Sequence, residues 1–195
     1  MKGSKLPREF QRAAQAMVDH AWRPELHVDR VPGPQRLAPH AAALTAELES
    51  EGATVGSARL VLLHDPEGNP AWDGTFRCVV YIRADVDAEM AADPLMTGVG
   101  WSWLQECLEN NHCEFGASTG TVTVVTSESF GAMDDEQSRS EIEIRASWTP
   151  YIGEGDGMAD HLDAWSDLLC TTAGLPPLPK GCLLYTSDAA DDSLR

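Results

Sequence analysis

The sequence predicts an α+β fold: one antiparallel sheet of about six strands with helices packed on one face, in the order α-ββββ-αα-ββ-α. Three observations carry this expectation. Apolar and polar residues alternate over several stretches of strand length, most clearly Ile142, Ile144, Ala146 and Trp148 against Glu141, Glu143, Arg145 and Ser147. Short turn-forming stretches such as Asp65-Pro66-Glu67-Gly68-Asn69-Pro70 join such segments, as antiparallel neighbours require. Elsewhere apolar residues recur at helical spacing instead.

The elements follow in order. Between Pro7 and Ala21, residues Phe10, Ala13, Ala14, Met17 and Ala21 share one side of a helix, and Pro7 suits its first turn. Glu25 to Val31 alternates as a strand, and the proline-rich stretch from Val31 to Pro39 is a stiff loop. Ala42, Leu44, Ala46 and Leu48 form the inner side of the next strand. Arg59 to His64 is apolar on both sides, as a central strand would be. Thr75 to Arg83 turns Phe76, Cys78, Val80 and Ile82 inward and Arg77, Tyr81 and Arg83 outward. A short helix spans Val86 to Ala92 and a longer one Thr97 to Asn110. Gly120 to Thr126 is a threonine and valine strand, Glu141 to Thr149 another, and Met158 to Ala173 the last helix. Leu175 to Pro179 runs extended. The outer sheet face, with Glu47, Glu49, Arg77, Arg83, Glu141, Glu143 and Arg145, reads as solvated mixed charge.

The longer helix carries a surplus. Val99, Trp101, Trp103, Leu104, Cys107 and Leu108 span close to half its circumference, wider than the stripe needed to lie on one sheet. Such a helix buries a second side under another helix or against a partner.

The composition narrows the function classes. The 195 residues suit a single domain, and the formal charge of -17 opposes a phosphate backbone as the main partner. No apolar run approaches a membrane span, the first residues lack an apolar signal core, and the cysteines are irregularly spaced. A cytoplasmic protein with reduced thiols is expected.

No motif sits in a catalytic context. Gly116-Ala117-Ser118-Thr119-Gly120 has the letters of a nucleophile elbow, but a helix precedes it and a strand follows, so it reads as a turn. Gly153-Glu154-Gly155-Asp156-Gly157 opens a helix, yet its own carboxylates occupy the place of an anion, and it reads as a flexible connection. Cys107, His112 and Cys113 lack zinc spacing, and Met133-Asp134-Asp135-Glu136 lacks the ligand alternation of a calcium loop. His64-Asp65 reads as a capped turn. No catalytic residue, metal or cofactor is assigned.

Two functional readings remain. The first is a non-enzymatic protein-interaction or chaperone-like module, pairing with itself or another protein through Trp101 and Trp103 or through the open sheet face. The second is a small-molecule-binding protein or enzyme. Its cleft would lie near Trp103, Ser127, Glu128 and Ser129, with Arg36 or Arg145 contributing a cation.

Longer strings carry a resemblance. They are Val99-Gly100-Trp101-Ser102-Trp103-Leu104, Ser127-Glu128-Ser129-Phe130-Gly131, and the run from Glu141 to Pro150. Pro34 to Pro39, Gly74 to Arg77, Met90 to Leu95 and Leu168 to Pro179 add to them. With these the chain resembles, from Phe10 to Gly181, the actinobacterial family catalogued as domain of unknown function 3000. The resemblance implies an actinobacterial, cytoplasmic origin and no established activity. The order of elements also looks like that of type III secretion chaperones, which implies homodimerisation and peptide binding by analogy of fold. From Cys182 onward, Cys182-Leu183-Leu184-Tyr185-Thr186-Ser187-Asp188 looks like translated sequencing adapter. The expected division is therefore a domain over 1–181 and a non-native tail over 182–195.

Overall fold

The computed structural model describes residues 6–131 and 139–175. The expected acidic loop Met133–Glu136, the extended run beyond Leu175 and the adapter-like tail lie outside the described residues. Helix α1 (Arg8–Asp19) leads into four strands, β1 (Leu26–Val31), β2 (His40–Ser50), β3 (Ala53–Asn69) and β4 (Gly74–Asp85). Helices α2 (Ala88–Ala92) and α3 (Met96–Asn110) follow, then β5 (Phe115–Ser127), β6 (Arg139–Pro150) and α4 (Met158–Thr172). The strands form one antiparallel six-stranded sheet in the order β1-β2-β3-β4-β6-β5. The α+β class and the order of elements expected from the sequence are both observed. The chain returns from edge strand β5 to place β6 beside β4, an arrangement that leaves β1 and β5 at the two edges.

Alternation sets the two faces. Leu44, Leu48, Leu60, Leu62, Cys78, Ile82, Ile142, Ile144 and Trp148 share one face and are buried under the helices with Phe10, Leu104, Leu108, Leu162 and Trp165. These side chains supply most of the apolar burial that drives folding. Helix α4 lies at the centre of the layer, with α1 and α3 packed against it.

The wide apolar arc of α3 is accounted for by this layer. One side of the helix packs on β5, the other on α4. Glycines allow the close approach on the sheet side. A β carbon at Gly100 would lie 2.9 Å from Val122 Cγ1, and one at Gly120 would lie 2.9 Å from Trp101 Cζ3. Trp101 and Trp103 are both half-buried and both pack against the main core. On the α4 side, the buried Asn111 at the end of α3 donates to Asp167 at 2.9 Å.

Three local expectations are corrected. Gly116 to Gly120 is not a turn between elements but the bulged beginning of β5, with the register shift between Gly116 and Thr119 and Ala117 at φ 49°. The glycine-rich loop before α4 is anchored rather than free. Ile152 is buried, and Arg12 of α1 reaches Glu154 at 2.8 Å. His64 is fully buried on the helix-covered face, its Nε2 2.8 Å from Glu9 Oε1 and its ring stacked with Phe10 and His40 and tilted against Phe76.

Candidate functional site

The uncovered face of the sheet is built from cross-strand rows. In one row Val31, Ala43, Val61, Val79, Ser147 and Thr119 are successive partners from β1 to β5. In the next row Asp29, Thr45, Arg59, Tyr81, Arg145 and Thr121 are partners in the same way. Rows on one face stand two residues apart along each strand, so an apolar row and a row carrying two arginines run side by side, about 7 Å apart.

The apolar row is partly roofed. Ala43, Val61 and Leu63 are buried on this face, with Val31, Ala38, Ala41, Val79 and Trp72 packed around them. Ala38 comes from the proline-rich loop. Trp72 comes from the β3–β4 turn, where its carbonyl accepts a hydrogen bond from the Thr149 hydroxyl. A second, smaller core therefore closes one corner of a face that the sequence reads as solvated charge.

Beside this corner the face is concave. A cavity of about 430 Å³ is lined by Arg59, Val61, Val79, Tyr81, Thr119, Thr121, Arg145 and Ser147, together with Val80, Gly120 and Ala146. Its floor is valine, its far wall is hydroxyl-bearing, and its charged groups are the two arginines. No lining residue is acidic, although the chain has 31 Asp and Glu against 14 Lys and Arg. The hollow adjoining it across Arg59 is different, since His27, Asp29 and Glu47 help to line it.

The arginines are held differently. Arg145 lies 2.7 Å from Glu143 Oε2 and sits over the Tyr81 ring at 5.2 Å from its centre. The Tyr81 hydroxyl in turn donates to Glu143 at 2.9 Å. This contact, together with burial, raises the phenol's pKa, burial being the larger cause. Arg59 is exposed and has no carboxylate within ion-pair distance among the described residues.

A third arginine lies beneath the hydroxyl wall. Arg77 is buried and donates to the Ala117 carbonyl at 2.8 Å, to Thr149 Oγ1 at 3.0 Å, and to Ser147 Oγ at 2.7 Å. Burial lowers its pKa, but the guanidinium remains a cation. All these acceptors are neutral. They tie the β5 bulge to β6 and leave a positive charge directly behind Ser147.

The residues singled out in the sequence are dispersed. Trp101 and Trp103 belong to the helix layer, whereas Arg145 projects on the opposite face of the sheet, so Trp103 and Arg145 do not line a common cleft. Ser127 and Glu128 are exposed at the end of β5 and Ser129 is half-buried just beyond it. Arg36 is exposed on the proline-rich loop. Of this set, Arg145 lines the cavity. Arg59, Val61, Val79, Tyr81 and the hydroxyls of Thr119, Thr121 and Ser147 were missed. The available signal was Val61 and Leu63 on the second side of β3, since outward apolar residues on a central strand call for cover or a ligand.

The helix-covered face holds a different polar pair. His161 is buried, accepts from Trp148 Nε1 at 3.1 Å through Nδ1, and bonds the Glu114 backbone. Burial depresses its pKa to about 4, so the neutral ring is locked into one tautomer inside the core. The buried thiols are equally inert. Burial pushes Cys107 up to about 12 and Cys170 up to about 11. No helix among the described residues is long and apolar enough to cross a membrane.

Neither a curated protein nor a solved structure matches the chain. A family model described as "Protein of unknown function (DUF3000)" matches residues 6–182, nearly the whole sequence, and the chain belongs to that family.

Proposed function

We propose that this protein is a non-enzymatic binding module that receives its ligand on the uncovered face of the sheet. The observation that carries this is the concavity between Val61, Val79 and the Arg59–Tyr81–Arg145 row. A valine floor with a few convergent polar groups is the ordinary composition of a ligand site, and the volume suits a small molecule. The lining contains no histidine, cysteine or carboxylate. Its serine, Ser147, accepts a hydrogen bond from a permanent cation, and no base in the lining stands ready to take its proton. These features favour holding a ligand over transforming it.

The route through Trp101 and Trp103 has less behind it, because α4 and β5 already occupy the wide arc of α3. The reading is tested by nuclear magnetic resonance with a chemically mixed fragment library. Fragments that bind should shift the amides of Val61, Val79, Tyr81, Thr119 and Thr121 together. Hits confined to the helix layer or to the end of β5 would overturn it.

A further inference from the structure

We infer that the cavity takes a small monocarboxylic acid with an apolar tail, its carboxylate at Arg59 and its tail across Val79 and Val61. The inference rests on the binding reading above and specifies its ligand class.

Charge bookkeeping selects the sign. In a strongly acidic chain this cavity has no acidic lining residue and two arginines. The Arg145 charge is balanced by Glu143 at 2.7 Å. Arg59 has no carboxylate within ion-pair distance among the described residues, and although Asp29 and Glu47 line the hollow on its other side, no acid faces it from the cavity. A monoanion balances the Arg59 charge; a phosphate dianion would leave an excess against Glu143. Arginine also presents paired N–H groups whose spacing fits a carboxylate.

Geometry places the two ends of the ligand. Arg59 and Arg145 both pair with Tyr81, from opposite sides, so their backbones stand two strand spacings apart, about 10 Å. The Arg145 guanidinium already lies over the Tyr81 ring, so a carboxylate seated on the Arg59 side of Tyr81 meets Arg59 directly and has the Arg145 cation beyond the ring. The adjacent row runs from Ser147 through Val79 and Val61 toward the corner closed by Trp72, an apolar track for a tail. Ser147 adds a donor. Its Oγ already accepts from Arg77, so its own hydroxyl proton is left for the ligand, and the buried cation behind it favours negative charge in front.

The test compares three probes that share one tail: octanoate, octanol and octylamine. Octanoate should bind, shifting the amides of Val61, Val79, Thr119, Thr121 and Ser147. Its affinity should exceed that of the other two by about tenfold, the worth of one charge-assisted contact. Arg59→Gln should erase that preference while leaving octanol unchanged, and the exposed position keeps the variant folded, as its own spectrum will show. If octanoate and octanol bind alike and Arg59→Gln changes neither, the anion class is wrong while the binding face stands. If octanoate shifts none of these amides at about 10 mM, the inference fails, and it fails together with the binding face if fragments also avoid that surface. A peptide with a free C-terminal carboxylate that displaces octanoate at a far lower concentration would overturn the small-molecule source.

Discussion

The two faces of this sheet solve the same packing problem in opposite ways. On the helix-covered face the large apolar side chains form one core with the helices, and His161 enters it neutral and hydrogen-bonded. On the other face the apolar row is only partly roofed, by Ala38 and Trp72, and the buried polar groups, Arg77 and Thr149, include a cation. On the covered face the charge that reaches a buried group is the half-buried Glu9 carboxylate at His64. The open face keeps charge close to an incomplete apolar surface, the combination that a ligand completes.

The comparison is broken most severely from the covered side. Trp148→Ala removes a fully buried indole and leaves His161 without its donor. Unfolding in urea should show a loss of about 3–5 kcal/mol. A loss under 1 kcal/mol would mean that this face is no better packed than the open one.

Next comes acid. The His161 pKa stands at about 4 in the folded chain against an ordinary 6.5, so between these values the unfolded chain holds the extra proton. Stability is then full above pH 6.5, declines as pH falls, and has lost about 3 kcal/mol from this residue once pH passes below 4. His64, also lowered chiefly by burial, adds in the same direction. His161→Gln should flatten part of the slope between pH 6.5 and 4. An unchanged slope would show that the ring is not held neutral.

The smallest effect concerns the open face. Arg77→Met should cost about 2 kcal/mol, because the acceptors on Ala117, Thr149 and Ser147 lose a charged donor. Hydrogen exchange should accelerate around the β5 bulge before it does in β3 or β4. Uniform acceleration would mean that Arg77 supports the whole sheet and does not specifically hold this edge.

Much of the architecture was legible locally. Ile142 to Trp148 alternate in sequence and face the helices in the structure, and Pro7 sits at the start of α1. The bulged start of β5 was not legible, because glycine, serine and threonine carry turn signals. They become strand only when β6 offers its backbone and Arg77 binds the Ala117 carbonyl. Arg77 itself looks identical to Arg83 in the alternation. One is buried and the other pairs with Glu141 at the surface, since the β5 bulge and β6 offer acceptors on Ala117, Ser147 and Thr149 to only one of them. The candidate site was legible in a single residue, Arg145, because its other members come from strands far apart in the chain.

By itself the sequence determined the kind of each element and which of its sides is apolar. Both follow from periodicity among neighbouring residues, which needs no distant partner. Tertiary structure alone decided that β6 returns between β4 and β5, that α4 covers the second side of α3, and that Arg59, Tyr81 and Arg145 stand in one row beside two valines. Those outcomes depend on register between distant segments. Register is selected by the burial and hydrogen bonding of the whole sheet at once, and no local stretch of the chain carries that information.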